Sequence, residues 1–369
     1  MAKRTLGTPA PDESEAALAE RKKRHLEICL DASHYVVEHG SAWFEHLTLI
    51  HTSLPELATE DLDTRTTFLG HEVALPILIS SMTGGSDEGY RANKDLARAA
   101  QEAGIPVGMG SIRILFRKPE VFEHFYLKKY APDVPVIANL SAVQLRDLPV
   151  NDVTELLKRL EVQGLVVHLN PAQELFQTDG DRDFRGLYDT IARYTDMSPV
   201  PILVKETGFG IRPAATQALL SLGVEYVNLA GSGGTNWVSV EGYRYDEWGR
   251  APEDFATWGL PTALLLDATP TTFGRVIASG GIRTGLDVAK ATALGAAMSG
   301  LALPFIRAVF DKGVDGVLAK IAELRKSLET AMLLTESRDI PTLQGAPLLR
   351  SLEFSHQVEQ LSRIEMGAR

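Results

Sequence analysis

Eight short runs of apolar, largely β-branched residues recur along this chain, and they restrict its fold more than any other feature. They span residues 75–80, 105–109, 134–140, 164–169, 200–205, 225–229, 275–279 and 296–301, starting about 30 residues apart. Helical patterns fill the gaps: Asp95, Leu96, Ala99, Ala100 and Ala103 run up to Gly104, and Leu286, Val288, Ala289 and Ala293 run up to Gly295. Strand and helix alternating at that repeat predict a parallel sheet, and eight repeats predict an α/β protein of the (β/α)8 TIM barrel class. A doubly wound sheet would carry a Gly-rich dinucleotide turn after its first strand, which Ser81-Met82-Thr83-Gly84-Gly85 does not match. Around a barrel at 75–335, the pattern predicts an N-terminal helical segment over 1–74, with a charged helix at roughly 13–37, and a C-terminal helical tail over 336–369. Residues 230–261 show no clear period and read as a long functional loop.

With 369 residues, 44% of them hydrophobic, the chain can bury a large core as one barrel. Its 37 basic and 48 acidic residues leave a net charge of −11, a field that repels nucleic acid and anionic membranes. Cys29 is the only cysteine, so no intramolecular disulfide can form, and residues 1–20 carry charges throughout, unlike a secretory signal. The longest uncharged apolar stretch, 291–306, is interrupted by glycine and shorter than a membrane span. A cytoplasmic protein bound to neither membrane nor nucleic acid is expected. His34, His39, His46, His51 and His71 lack the close pairing of a zinc helix and read as packing residues.

In a TIM barrel the reactive groups stand at the C-terminal ends of the strands. Here those ends present Ser80, Ser81, Met82 and Thr83, then Ser111 and Arg113, Asn139, His168 with Asn170, and Lys205. Gly231 to Asn236 follow the sixth strand, and Gly280, Gly281, Ile282 and Arg283 the seventh. Taken singly, His168 could be a satisfied core histidine and Lys205 a snorkelling one-off, but nearly every strand supplies a polar end. The Gly-Gly-Ile-Arg turn offers main-chain N–H groups and a guanidinium where such barrels bind phosphate. The Gly-Ser-Gly-Gly-Thr turn lets backbone approach a flat ligand. Arg21, Lys22 and His25 share a helix face within the densest basic run, which is either a solvated surface or a clamp for a second phosphorylated group. Glu174, beside Gln173, is a carboxylate suited to Mg²⁺ near phosphate, with Asp179, Asp181 and Asp183 as rival ligands.

These residues resemble the type 2 isopentenyl-diphosphate isomerases, flavin-dependent barrels that interconvert isopentenyl and dimethylallyl diphosphate. The resemblance rests on Arg-Lys-x-x-His at 21–25, Met-Thr-Gly-Gly at 82–85, Gly-Ser-x-Arg at 110–113, His-Leu-Asn-Pro-Ala-Gln-Glu at 168–174 and Val-Lys-Glu at 204–206. Gly-Gly-Thr-Asn-Trp at 233–237, Trp-Gly-x-Pro-Thr at 258–262 and Ser-Gly-Gly-Ile-Arg-x-Gly at 279–285 extend it over nearly the whole chain after residue 20. It implies FMN on Ser81, Met82, Thr83, Ser111, Asn139, Lys205 and Thr235, with the cofactor phosphate on Gly281, Arg283, Ala302 and Leu303. It implies the substrate diphosphate on Arg21, Lys22, His25, Ser111 and Arg113, Mg²⁺ near Glu174, and His168 and Gln173 beside the isoprenoid. Ala230 departs from the pattern, since the family would place a hydroxyl there, at a cost of about 1 kcal/mol for one lost hydrogen bond.

The implied chemistry adds a proton at one carbon and removes one from another, through a transition state with positive character, with no net redox change. Reduced FMN would stabilise that charge, Lys205 would neutralise the negative edge of the ring, and NADPH would serve only to reduce the flavin. The flavin, His168 and Gln173 stay open as the group that moves the proton. The resemblance also implies a homo-oligomer, tetramer or octamer. The rival reading is an FMN-dependent hydroxy-acid oxidase or dehydrogenase, whose chemistry needs a histidine late in the barrel; none occurs between His168 and His356. Barrel dehydrogenases with a loop cysteine fail on the single Cys29. A non-catalytic phosphate-binding barrel would keep fewer polar strand ends.

Overall fold

A computed structural model describes residues 15–367 apart from 83, 85, 179 and 270–273. Eight parallel strands close a barrel in chain order: β1 (Ile77–Ile79), β2 (Val107–Gly108), β3 (Val136–Ser141), β4 (Gly164–Leu169), β5 (Ile202–Glu206), β6 (Tyr226–Asn228), β7 (Val276–Ser279) and β8 (Met298–Leu301). β8 pairs back onto β1, so no edge is left. Each strand lies within one residue of the stretch that the sequence predicts for it. The helix Asp87–Ala103 starts on Ser86, whose hydroxyl accepts the Gly89 N–H, and ends on Gly104 at φ 68°. Its Leu96, Ala99 and Ala100 pack against the outside of the barrel with the apolar faces of its neighbours.

Alternation along the strands sorts the barrel interior into two layers. The lower layer is apolar: Leu78, Ile137, Val166, Leu203, Ile277 and Met298 form one buried cluster, closed from below by Phe68 and Val73. Burying side chains of this kind contributes about 1.5–3 kcal/mol each. Phe68 and Val73 come from the antiparallel pair Thr66–Phe68 and His71–Val73. Two residues further along, the same strand faces are polar: Ser80, Asn139, His168, Lys205 and Ser279, with Asn228 on β6 and Gly300 on β8. The period that buries the plug therefore lifts the polar groups to the mouth.

Three segments differ from the sequence-based expectation. The N-terminal helix is Glu15–Leu30 and stops well short of residue 37, because the Asp31 carboxylate accepts the N–H groups of Ser33 and His34 and turns the chain. The chain then runs on so that Glu38 bridges to Thr235 and the Val37 carbonyl accepts the Asn236 N–H at 2.7 Å. The tail is not helical throughout: between Ile340–Gln344 and Leu352–Gly367, Leu348–Arg350 pairs antiparallel with Leu47–Leu49. The loop at 230–261 holds the short helices Trp237–Gly242 and Ala251–Asp254, which span too few turns for a period to show. Among the described residues, no helix is long and apolar enough to cross a membrane.

Candidate active site

The polar layer floors a cavity at the barrel mouth. Of the residues proposed for the cofactor, Ser81, Met82, Lys205, Thr235, Gly281, Arg283, Ala302 and Leu303 line it together. Thr83 lies outside the described residues, while Ser111 and Asn139 stand at neighbouring strand ends rather than in the cavity wall. Lys205 Nζ donates to the Glu206 carbonyl at 2.5 Å, and burial lowers its pKa to about 8 against the opposing pull of Glu206. His168 sits level with Lys205 on the adjacent strand. Its Nδ1 lies 2.7 Å from Asn139 Oδ1, an acceptor, so Nδ1 carries the proton and Nε2 is left to accept. Burial, reinforced by Lys205, pushes the imidazole down to about 3. A heteronuclear NMR titration is therefore expected to find His168 neutral from about pH 8 to about pH 5. A midpoint near the usual histidine value would instead make it a proton donor.

The turns after β5, β6 and β7 press against one another through glycine. A Cβ on Gly208 would lie 2.5 Å from the Thr235 carbonyl oxygen, and one on Gly234 would lie 2.6 Å from the Gly281 nitrogen. Gly280, at φ 94°, would drive a Cβ into the Gly231 carbonyl. Gly280→Ala is therefore expected to destabilise the protein by about 3 kcal/mol through overpacking and a left-handed backbone, seen as a lowered thermal midpoint. An unchanged midpoint would mean these turns have room to separate. Beside them, Arg283 donates from Nη1 to the Ile282 carbonyl at 2.7 Å and from Nη2 to Glu38, and burial together with Arg307 lowers its pKa to about 10. Arg307 also reaches Glu38, at 3.3 Å. The long helix Leu303–Leu334 begins at the same wall, adding the orphan N–H groups of a helix start. A glycine cradle, a guanidinium and a helix N-terminus suit a phosphate, and the polar floor suits a flat ring. Two hydroxyls of this wall, Ser80 Oγ and Thr207 Oγ1, are buried without a hydrogen-bond partner.

Trp237 lines the cavity, and its ring meets His25 of the N-terminal helix edge-on at 5.2 Å. On that helix Lys22 crowds Arg21 and Arg113, and burial plus the two guanidinium groups lower its pKa to about 8. Like charges gathered in this way cost free energy that a bound anion would offset. His25 turns elsewhere: its Nε2 donates to Glu241 Oε1 at 2.9 Å, Gln173 Nε2 donates to the same oxygen at 2.9 Å, and Arg244 pairs with Oε2. Burial pushes the Glu241 carboxyl up, but His25, Arg244 and Gln173 outweigh it and hold the group below the usual range, while burial keeps His25 low. An ionised Glu241 between a neutral His25 and Arg244 follows. Sequence reasoning missed Glu241; the available signal was a glutamate between apolar residues three positions before an arginine.

Glu174 lies in the short helix Pro171–Phe176, its Oε1 accepting from Asn170 Nδ2 at 2.8 Å and its Oε2 from the Asp181 N–H at 2.9 Å. Burial raises its pKa. Asp183 is committed to Arg185 at 2.7 Å, and Asp179 lies outside the described residues. Among the described residues no cluster of three acidic, histidine or cysteine side chains could hold a metal alone. One carboxylate sharing a cation with phosphate oxygens of a ligand is the arrangement Mg²⁺ commonly takes.

Residues 31–115 and 170–349 match the FMN-dependent dehydrogenase family. A protein of Borrelia garinii subsp. bavariensis named isopentenyl-diphosphate delta-isomerase is 41% identical over 331 residues, covering 89% of this chain and 93% of its own. Proteins of the same name from Nostoc sp. and Pyrococcus abyssi are 38% and 37% identical over 94% and 89% of this chain, and over 99% and 91% of their own. A solved structure of a mandelate oxidase mutant with (S)-mandelic acid shares the fold at TM-score 0.64 and 17% identity, over 92% of this chain and 99% of that one. The chain belongs to the isopentenyl-diphosphate delta-isomerase family, carried on the barrel of the FMN-dependent dehydrogenases.

Proposed function

We propose that the protein moves the double bond of isopentenyl diphosphate to give dimethylallyl diphosphate, and back, on bound reduced FMN with Mg²⁺. One observation carries this reading: the phosphate cradle at Arg283 lies in the wall of the polar-floored cavity, and the helix bearing Arg21 and Lys22, with Arg113 close by, reaches the same cavity through the His25–Trp237 contact, which supports two separate anion sites. When bound and reduced, FMN supplies an electron-rich face and a nitrogen that can give and take a proton without net redox change. Ser81, Met82, Thr235, Gly281, Arg283, Ala302 and Leu303 hold it, with Ser111, Asn139 and Thr83 completing the set. Lys205 keeps a positive charge against the ring in a water-poor wall, where it acts strongly. His168, neutral at working pH, accepts at Nε2 and orients substrate rather than donating a proton. Gln173, fixed by Glu241, positions the alkene. Arg21, Lys22, Ser111 and Arg113 bind the diphosphate, His25 anchors the helix of Arg21 and Lys22 to Glu241, and Glu174 would hold Mg²⁺ and supply it to neutralise diphosphate charge.

NADPH serves to reduce the flavin. Exposed Leu349, Leu352, Ile364 and Met366 near the C-terminus support self-association into a tetramer or octamer, and a single buried thiol, Cys29, suits the cytoplasm. The test is anaerobic incubation with FMN, Mg²⁺, NADPH and isopentenyl diphosphate, beside a control without FMN. FMN-dependent dimethylallyl diphosphate is expected. Flavin binding with no product, but with oxidation of a hydroxy acid, would replace this reading with the oxidase one.

A further inference from the structure

Thr207 follows β5, and alternation puts it on the same side as Lys205 and opposite to Glu206. The turn is nailed in place from behind: Glu206 Oε2 accepts the N–H groups of Gly208, Phe209 and Gly210 at 2.6, 2.6 and 3.2 Å. Thr207 thus cannot rotate its backbone to find a partner, and Oγ1 is left buried and unpaired in the cavity wall. Across the barrel, Ser80 follows β1, four strands away from β5 in a ring of eight. Its main-chain N–H is taken by the Leu301 carbonyl at 2.8 Å, but Oγ has no partner. It stands over Gly300, where a Cβ would approach Oγ to 2.6 Å, so the glycine keeps the hydroxyl's side of the cavity open. A buried hydroxyl left unpaired destabilises the fold, and two of them at one cavity, on opposing strands, mark places where a ligand completes the bonding.

We propose that Ser80 and Thr207 are further cofactor-binding residues whose hydroxyls bond the polar edges of the flavin ring from opposite sides of the barrel. The proposal rests on FMN filling this cavity. The hydroxyls are unpaired without the ring and paired with it, so removing them relieves the empty protein and weakens the loaded one. Thr207→Val and Ser80→Ala are each expected to raise the dissociation constant about tenfold for both FMN and riboflavin, measured by quenching of flavin fluorescence. The thermal midpoint of the flavin-free variants should equal or exceed that of the wild type. Thr207→Ser should restore binding to near the wild-type value, and Arg283→Ala should weaken FMN but leave riboflavin unchanged. Unaltered flavin affinity in both hydroxyl variants, or a loss confined to FMN, would overturn the proposal. A wild-type protein that binds no flavin would overturn the cofactor reading itself, a separate outcome.

Discussion

Lys205→Ala is expected to keep the barrel and lose about a thousandfold in turnover, the scale seen when a preorganised charge is removed from a developing one. Lys205 belongs to the polar layer, two positions above the buried Leu203, so its removal leaves the apolar plug untouched. Glu206 is not stranded by the change, because three main-chain N–H groups hold its carboxylate. The stability effect has a definite sign. The folded pKa of Lys205, about 8, lies below that of the unfolded chain, so charging the amine in the fold carries a penalty that is complete below about pH 8 and fades as pH rises toward the unfolded value. Alanine removes that penalty. Melting followed by circular dichroism should show a midpoint at or above the wild type at neutral pH, while product formation collapses. Wild-type turnover in this variant would remove Lys205 from the chemistry, and an unfolded variant would make it a structural residue.

The double change Arg21→Ala with Lys22→Ala is expected to raise KM for isopentenyl diphosphate about a hundredfold while kcat changes little, since each charge-assisted hydrogen bond contributes about 1.5–3 kcal/mol. Lys22 adds a pH signature. Its pKa near 8 means that the free protein loses this charge as pH rises through that value, so KM in the wild type should climb above about pH 8. The double variant should show no such climb. An unchanged KM would return the N-terminal helix to the reading of a solvated face.

The barrel was legible because its eight strands are buried on both faces and therefore read as apolar runs, and because the polar strand ends fall at fixed places relative to those runs. Lys205, Arg283 and Thr235 were found by that placement alone and meet in one cavity. Glu241 and Glu38 were not, since each acts through partners remote in sequence: Glu241 through His25 and Gln173, Glu38 through Arg283 and Arg307. No local period announces a pairing across two hundred residues. The end of the N-terminal helix at Leu30 was missed for a different reason, because the side-chain turn at Asp31 overrides a charged pattern that would otherwise continue. The strand Leu348–Arg350 is too short to show alternation and exists only by pairing with Leu47–Leu49.

The Phe68 and Val73 plug has a consequence for traffic. A barrel sealed underneath is a well with a single mouth, and a well fills in order: whatever rests on its floor enters first and leaves last. With the flavin ring on the polar layer and the diphosphate at the rim beside Trp237, as proposed, the substrate would be the stopper over its own cofactor. On that placement, retention of FMN would track how often the mouth is occupied, an enzyme supplied with substrate keeping its flavin and an idle one giving it up.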